Sequence, residues 1–258
     1  MHNSHDKYLK NIDDVKDFIS KYKENVKEIS DILENSIQEE SALYFRGQAN
    51  SNWPLISSVA RQNESEPIIK NLEEPFKELA NYQHHGTHTR LLDYTTDVRV
   101  ALFFACDDKN NKCENGAVFI TEYVPYFCNF SSVKDLCLLS QLKEPITIKQ
   151  FIFDTYGYNL SSKELEDKEC EIYSYVNYGF IVQPNDEFYS KIVNNNKNMI
   201  TQKGCFYISG NKVRNTQSKA VGCVLYNNKG DVVIEPKIEG VSPVLTSEVF
   251  TKKYIIPY

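Results

Sequence analysis

Between residues 43 and 121 the sequence switches repeatedly between the period of a β-strand and that of an α-helix, and this alternation constrains the fold more than any other feature. Strand patterns occupy 43–47 and 116–121, whereas 71–82 and the run from Val98 to Ala105 have apolar residues at helical spacing. Each helix can bury its apolar stripe only against another element. The sequence therefore predicts helices packed against a sheet.

The first strand carries a candidate ligand-binding side chain. Tyr44 and Arg46 lie on one face of this strand because successive residues of a strand alternate between its faces. A planar guanidinium on a rigid strand can bind a pyrophosphate in a fixed orientation. Arg46 is therefore a candidate anion contact, or else the buried partner of a carboxylate such as Asp93. Tyr44 is a candidate aromatic wall for a base, and Gly47 ends the strand or admits the close approach of another backbone.

Arginine is scarce and unevenly placed in this chain. It supplies five of the 29 basic residues, and four of the five lie between positions 46 and 99. Arginine is the side chain best suited to bidentate contact with phosphate or carboxylate. The region 46–99 is therefore where the sequence predicts the chemistry.

A polar segment, residues 82–97, contains three histidines, one arginine and six hydroxyl side chains. His85 precedes a glycine and is the candidate general acid or base, or a ribose contact; a structural histidine is the alternative. Arg90 is a second candidate anion contact, or else forms an ion pair with Asp93 that fixes the loop. Asp93 could orient His85 or Arg90, and Gln83 could hydrogen-bond a ligand.

The end of this segment leads into the helix that begins near Val98. Thr95 and Thr96 lie beside the unpaired amide donors of that helix, where their hydroxyls can bind a ribose or cap the helix. A zinc site made by the three clustered histidines is not predicted, since neighbouring residues on a strand face opposite ways and no cysteine has a matching spacing.

The rest of the chain fits a single domain, 1–258, made of four segments. Residues 1–40 have an amphipathic helical pattern, 41–121 carry the motifs, 122–200 form an insertion or outer layer, and 201–258 form C-terminal strands. Within the last two segments, 161–171 is a charged helix candidate, 204–208, 221–226 and 232–236 have strand patterns, and 227–230 has the pattern of a hairpin turn. The apolar positions of the first segment follow helical spacing; they are Val15, Phe18, Ile19, Tyr22, Val26, Ile29 and Leu33.

Composition excludes several classes of protein. Hydrophobic residues make up 41% and charged residues 25% of the chain, which is typical of a folded domain. The net charge of −6 argues against broad nucleic-acid binding. The seven cysteines lack any C-x-x-C pair and are expected to be reduced thiols. Without an apolar span or a signal-peptide pattern, the sequence predicts a cytoplasmic protein with no membrane partner.

Several blocks, in their order and spacing, resemble the FRG domain, a family of bacterial and phage proteins named for its Phe-Arg-Gly motif. The likeness covers about residues 43–208. The blocks are Tyr44-Phe45-Arg46-Gly47-Gln48, Trp53-Pro54-Leu55 with Arg61, Gln83-His84-His85-Gly86, residues 89–95 and residues 101–105, with a further match at Gln202-Lys203-Gly204-Cys205-Phe206.

The block order also resembles the wider scheme of ADP-ribosyltransferases. That resemblance implies an α+β fold with a mixed or antiparallel sheet and N-terminal helices. Arg46 would bind the phosphates and ribose of NAD, Thr95 and Thr96 would belong to the nicotinamide pocket, and Gln202 would take the third position. Active transferases of the larger class carry glutamate there, while related enzymes with a changed third residue include tRNA 2′-phosphotransferases.

The resemblance therefore implies a protein that binds and cleaves NAD, with ADP-ribose passed to a protein, an RNA or water. Its catalytic residues would be Arg46, His85 and Gln202, and its biological role that of a bacterial toxin or phage-defence effector. The residues implied to bind NAD are Tyr44, Arg46, Gly47, Gln83, Arg90, Asp93, Thr95 and Thr96. Two alternatives stay open: a metal-independent RNA nuclease or phosphotransferase, and a non-catalytic sensor of a nucleotide or a phage protein.

Overall fold

The computed structural model describes most of the chain between residues 42 and 185 and shorter stretches on either side. The described residues are 7–8, 14, 17, 20, 42–106, 114–185, 188, 202–215, 232–238 and 251–256. The predicted helix over 15–33, the predicted strand 221–226 and the predicted hairpin turn 227–230 lie outside these residues, apart from two isolated positions of the helix.

Helices and strands are interspersed along the described chain, as the sequence predicted. The strands are β1 (Lys7–Tyr8), β2 (Ala42–Gln48), β3 (Leu91–Thr95), β4 (Gly116–Tyr123), β5 (Tyr126–Phe127), β6 (Ile146–Thr147), β7 (Phe180–Gln183), β8 (Gly204–Ile208), β9 (Asn211–Asn215), β10 (Val232–Ile238) and β11 (Thr251–Ile256). The helices are α1 (Ser58–Gln62), α2 (Pro75–His84), α3 (Val98–Cys106), α4 (Ser131–Leu139), α5 (Ile148–Tyr156) and α6 (Ser162–Tyr175).

The chain forms two compact units. Unit 1 consists of Met1–Pro54, Tyr94–Val124 and Glu248–Tyr258, and unit 2 consists of Leu55–Asp93 and Pro125–Ser247. Unit 1 therefore holds β1, β2, β4, β11 and α3, and unit 2 holds the other helices and β5 to β10. The boundary between the units falls within β3.

Unit 1 is a sheet with one helix packed on it. Its strand order is β1-β11-β4-β2, in which β1 is parallel to β11 while both β11 and β2 are antiparallel to β4. The end of β3 pairs with β2 through Phe45 and Thr95, also antiparallel. The apolar cluster between α3 and the sheet confirms the predicted inward faces; it comprises Phe45, Ala101, Ala105, Val118, Ile120 and Tyr254, with Leu43, Val98, Leu102 and Ile256 packed against it.

Two glycines let the backbone of α3 lie directly on the sheet. A Cβ atom on Gly47 would lie 1.7 Å from the carbonyl oxygen of Ala101, and one on Gly116 would lie 2.1 Å from that of Ala105. Neither distance is possible between real atoms, so both positions require glycine. The predicted close backbone approach at Gly47 is confirmed, and the approaching backbone is that of α3.

In unit 2, helix α2 begins later in the sequence than predicted. The pattern predicted a helix over 71–82 with Leu72 inward, but the helix begins at Pro75 and extends to His84. Proline suits the first turn of a helix because its missing N–H has no partner there in any case. Phe76 and Leu79 are buried as predicted, whereas Leu72 precedes the helix and is 54% exposed, so its inward assignment was wrong.

Residues 125–185, which belong to the predicted insertion or outer layer, contribute core as well as surface to unit 2. Leu136 of α4, Ile152 of α5 and Ile172 of α6 are fully buried. Helix α6 begins after Ser161, whose hydroxyl accepts from the backbone of Glu164 while the Glu164 carboxylate accepts from the Ser161 backbone. This capping box satisfies two otherwise unpaired amides, and it begins the helix where the sequence predicted.

The strands of unit 2 form two groups. Strand β7 is antiparallel to β8 and parallel to β5, so this group is mixed. Strands β6, β10 and β9 form a three-stranded antiparallel sheet. The predicted strand at 204–208 is confirmed as β8 and the one at 232–236 as part of β10. The fold is a mixed α+β structure, and no helix of the described chain is long and apolar enough to cross a bilayer.

A buried carboxylate joins three helices of unit 2. Asp135 of α4 is fully buried and accepts hydrogen bonds from the hydroxyls of Tyr156 of α5 and Tyr175 of α6, the latter at 2.6 Å. Lys168 places its Nζ 3.5 Å from the same carboxylate and 4.7 Å from the centre of the Tyr156 ring. Burial, followed by the negative charge of Asp135, raises the pKa of Tyr175, so this phenol stays protonated as a donor.

Replacing Tyr175 by phenylalanine removes one donor from this carboxylate without changing the shape of the core. Because hydrogen bonds to charged groups contribute about 1.5–3 kcal/mol, we expect Tyr175→Phe to lower the free energy of unfolding by about 2 kcal/mol in urea titrations followed by circular dichroism. The matched control is Tyr158→Phe, since Tyr158 is 70% exposed, and it should unfold like the wild type. Equal stability of both variants would contradict the prediction.

Candidate functional site

The predicted site residues fall into two groups, one in each unit. Unit 1 holds Tyr44, Arg46, Gly47, Thr95 and Thr96, and unit 2 holds Gln83, His85, Arg90, Asp93 and Gln202.

Arg46 lies on the face of the unit 1 sheet opposite to α3. Phe45 packs against α3, so its strand neighbours Tyr44 and Arg46 point to the other face. The register places Thr121 of β4 beside Tyr44 and Phe119 beside Arg46. We call the surface formed by Tyr44, Arg46, Tyr94, Phe119 and Thr121 the Arg46 face.

The Arg46 face contains polar groups that the sequence interpretation missed. Because Thr95 pairs with Phe45, the preceding residue Tyr94 belongs to the Arg46 face, and its hydroxyl lies 3.4 Å from Oγ1 of Thr121. Tyr44 and Thr121 are fully buried, whereas Arg46 is half-buried. Arg46 is therefore the member of this group whose side chain combines charge with partial access. Strand register brings Tyr94 and Thr121 together, and no local pattern carries that information.

Thr95 lies on the other side of the sheet from Arg46. It shares the α3 face with Phe45 and is 4% exposed, and its Oγ1 accepts the N–H of Asp97 at 3.0 Å. The hydroxyl of Thr95 thus stabilises the turn before α3, whereas the side chain that caps the helix is that of Asp97, whose Oδ1 accepts the N–H of Arg99. The following residue, Thr96, is exposed. The structure does not bring Arg46 and Thr95 onto a common surface of unit 1.

Arg90 is held by a buried ion pair in unit 2. Its Nε and Nη2 donate to the carboxylate of Glu66 at distances of 2.6–3.0 Å, and the two side chains are only 1% and 6% exposed. Its Nη1 donates to the carbonyl oxygens of Leu136 and Ser209 and to Oδ1 of Asn211. The alternative that Arg90 forms an ion pair with Asp93 was wrong, because the carboxylate that binds Arg90 is that of Glu66.

All three nitrogens of the Arg90 guanidinium are engaged by these contacts. A ligand anion could reach it only by displacing the carboxylate or one of the three oxygens that accept from Nη1. Since breaking a buried ion pair is costly, the geometry gives Arg90 a structural role. Of the two arginines predicted as anion contacts, Arg46 is therefore the one that keeps partial exposure.

Gln83 and Asp93 form a short polar chain at the surface of unit 2. The hydroxyl of Thr89 donates to Oε1 of Gln83 at 2.7 Å, and Nε2 of Gln83 donates to the exposed carboxylate of Asp93 at 3.1 Å. Asp93 also affects Cys205 of β8: burial, with a further contribution from the charge of Asp93, raises the pKa of that thiol. These contacts fix the orientation of the Gln83 amide.

His85 lies at the C-terminal end of α2, where its backbone N–H bonds the carbonyl oxygen of Asn81 at 3.1 Å. Its ring is exposed and contacts the ring of His84 edge to face at 5.4 Å. The structure shows no contact that orients this ring as a general acid or base; among described residues, no three His, Cys, Asp or Glu side chains are placed to hold a metal ion.

His88 has the surroundings that were predicted for His85. Its Nδ1 lies 2.6 Å from Oε2 of Glu64, and its Nε2 lies 3.4 Å from the amide nitrogen of Gln62. In the tautomer that carries its proton on Nδ1, the ring donates to Glu64 and accepts from the amide nitrogen of Gln62. The sequence contained these residues but no spacing that joined them, because Gln62 and Glu64 precede His88 by more than twenty positions.

Gln202 lies in the turn that leads into β8 and is half-buried. The next residue, Lys203, has a positive φ of 46°, which closes this turn. The placement of Gln202 at the head of a strand agrees with the sequence interpretation.

The buried ion pair predicts a strong asymmetry between two arginines. Arg90→Met leaves Glu66 without its counter-charge in the core of unit 2, so we expect the free energy of unfolding to fall by about 3–5 kcal/mol in urea titrations. Arg99 pairs with Asp97 at 2.5 Å but its side chain is 75% exposed, so Arg99→Ala should be nearly neutral. Similar losses from both variants would show that burial of the Arg90 pair contributes nothing.

Comparisons with known proteins support one family. The family model of the FRG domain matches residues 70–114, a range that contains α2, the polar segment 82–97, β3 and α3. No curated protein and no solved structure matched the chain. The matched range supports the FRG family for this part of the chain.

Proposed function

We propose that the protein binds NAD through Arg46 and cleaves the bond between nicotinamide and ribose, with transfer of ADP-ribose to water, a protein or an RNA. The observation that supports this proposal is the position of Arg46: a half-buried arginine on a strand that is hydrogen-bonded to β4, on the face away from α3.

The location of Arg46 suits the binding of a pyrophosphate. The side chain starts from a strand that is paired with β4 along its whole length, so the backbone that carries it is fixed before a ligand arrives. Partial burial strengthens its attraction for an anion, since charges interact more strongly away from bulk water. The chain as a whole carries a net charge of −6, so a dianionic group needs a local cation of this kind.

The proposed reaction breaks the bond between C1′ of the ribose and the ring nitrogen of nicotinamide. The bonding electron pair leaves with nicotinamide, which becomes neutral, and the positive charge passes to the ribose. An oxygen of water or of an acceptor then bonds to C1′ and loses its proton. Arg46 would hold the pyrophosphate during these steps.

Free nicotinamide after incubation with NAD is the direct measure of this reaction. We expect the wild type to release nicotinamide and to add the mass of ADP-ribose to an acceptor if one is present. Arg46→Ala should lower kcat/KM about 30-fold or more, because a charge-assisted contact to phosphate is lost. The melting temperature of this variant should stay within a few degrees of the wild type.

Arg99→Ala is the matched control, since it removes an exposed arginine of the same unit; it should turn over NAD at the wild-type rate. The proposal fails if the wild type releases no nicotinamide and NAD does not raise its melting temperature. A large loss of stability in Arg46→Ala would instead assign Arg46 to the structure. The proposed reaction fits a toxin or phage-defence effector, because it consumes NAD or modifies an essential molecule.

A second candidate function rests on a different observation, the contact between Glu64 and His88 in unit 2. A neutral imidazole that donates Nδ1–H to a carboxylate can accept a proton at Nε2. In a metal-independent RNA nuclease, such a base removes the proton of a ribose 2′-hydroxyl. The 2′-oxygen then attacks the adjacent phosphorus, the bond to the 5′-oxygen breaks, and the 5′-oxygen takes a proton from water, which leaves a 2′,3′-cyclic phosphate and a 5′-hydroxyl.

A single-stranded RNA incubated in the presence of a metal chelator tests this second function. We expect cyclic-phosphate products with the wild type and about 100-fold slower cleavage with His88→Ala, which is typical for loss of a general base. His85→Ala is the matched control and should cleave normally. Loss of cleavage only in His85→Ala would restore His85 as the base, and intact RNA in every sample would exclude this function.

A further inference from the structure

Strand β11 adds a second cation to the side of the unit 1 sheet that carries the Arg46 face. Phe119 of β4 is paired with Arg46 of β2 and, across its other edge, with Lys253 of β11. Residues directly opposite each other in neighbouring strands lie on the same face of a sheet. Arg46, Phe119 and Lys253 therefore form one row across three strands, with the aromatic residue in the middle.

The two cations of this row are close enough to bind one ligand. Neighbouring strands are about 4.8 Å apart, so the backbones at Arg46 and Lys253 are separated by about 10 Å. Both residues carry long side chains, which can reach a group held between them over Phe119. Both are also half-buried, so their charges attract an anion, and repel each other, more strongly than charges in bulk water.

The sheet provides no carboxylate that would neutralise Lys253. Within the described part of the chain, Lys253 forms no ion pair and no side-chain hydrogen bond. The one acidic residue of β4, Glu122, is paired with Leu43 of the α3 face and so lies on the opposite side of the sheet. Apart from Arg46 and Lys253, every register position of β2, β4 and β11 on the side of the Arg46 face holds an uncharged residue.

We propose that Lys253 is the second cationic contact of a pyrophosphate group that binds at the Arg46 face, with one phosphate on each cation. A pyrophosphate carries two negative charges, and the row supplies two positive ones. The guanidinium of Arg46 suits two oxygens of one phosphate, whereas the ammonium of Lys253 is a point charge with rotatable donors. The inference rests on the proposed function, which names NAD as the ligand that contains this group.

The energetic cost of the row supports a ligand. Two like charges on one half-buried face destabilise the protein when nothing lies between them, and an anion there turns their repulsion into attraction to both. Charges that cost stability in this way are typical of binding sites. The sequence did not single out Lys253, because lysine supplies most of the basic residues of the chain and only the register places this one beside Phe119.

Binding of ADP-ribose to the full chain, measured by calorimetry, tests the proposal. This probe contains the pyrophosphate but has no nicotinamide to lose. We expect Lys253→Met to raise the Kd about tenfold or more, because a charge-assisted contact is lost, and Lys253→Arg to stay within about threefold of the wild type, because the charge is kept. Without ligand, Lys253→Met should melt at the wild-type temperature or above it, since repulsion from Arg46 is removed.

The matched control is Lys252→Met in the same strand, since position 252 is paired with Ile120 of the α3 face; this variant should bind ADP-ribose like the wild type. The proposal is overturned if Lys253→Met binds ADP-ribose as tightly as the wild type does. It is also overturned if both lysine variants lose affinity equally, or if the wild type binds neither ADP-ribose nor ADP.

Failure of this inference and failure of the proposed function give different results. Release of nicotinamide by the wild type, together with unchanged ADP-ribose binding in Lys253→Met, would reject the role of Lys253 and leave NAD cleavage standing. Weaker binding in Lys253→Met without nicotinamide release by the wild type would support the pyrophosphate site and reject NAD cleavage. Binding of ADP but not of ADP-ribose, again weakened in Lys253→Met, would support the site and identify its ligand as a nucleoside diphosphate.

Discussion

The buried ion pair between Arg90 and Glu66 is the interaction on which the structure of unit 2 most depends. One guanidinium binds the carboxylate of Glu66, the carbonyl oxygen of Leu136 in α4, and the chain at the start of β9 through Ser209 and Asn211. The backbone of Arg90 adds to this, because its carbonyl oxygen accepts from Ser209. These segments are far apart in the sequence, and a planar group with fixed donor directions holds them in one arrangement.

In unit 1 the corresponding constraint is steric. Gly47 and Gly116 admit the backbone of α3 to the sheet, and this contact determines which face of β2 is covered by the helix. Arg46 points to the other face as a consequence. The two arginines predicted as anion contacts thus have different surroundings. The side chain of Arg90 is buried and fully hydrogen-bonded within unit 2, whereas Arg46 is partly exposed to solvent. The proposed NAD function rests on that difference.

Features that depend on neighbours in the sequence were predictable. Strand β2, the inward face of α3, and strands β4 and β8 follow from alternation and helical spacing, which are local properties. The exposure of Leu72 was not predictable from spacing alone, because its position depends on where Pro75 begins the helix. The surroundings of His88 were not predictable from spacing either, because the carboxylate and amide beside its ring come from a segment near α1.

The sequence by itself determined the types of element, the α+β character and the segment in which polar, potentially chemical residues concentrate. Only the tertiary structure decided which of those residues share a surface. Strand register placed Tyr94 and Thr121 with Arg46 and turned Thr95 to the α3 face. Long-range packing pairs Arg90 with Glu66 rather than with Asp93. Register and packing depend on the free energy of the whole fold, so they cannot be predicted from a short stretch of sequence.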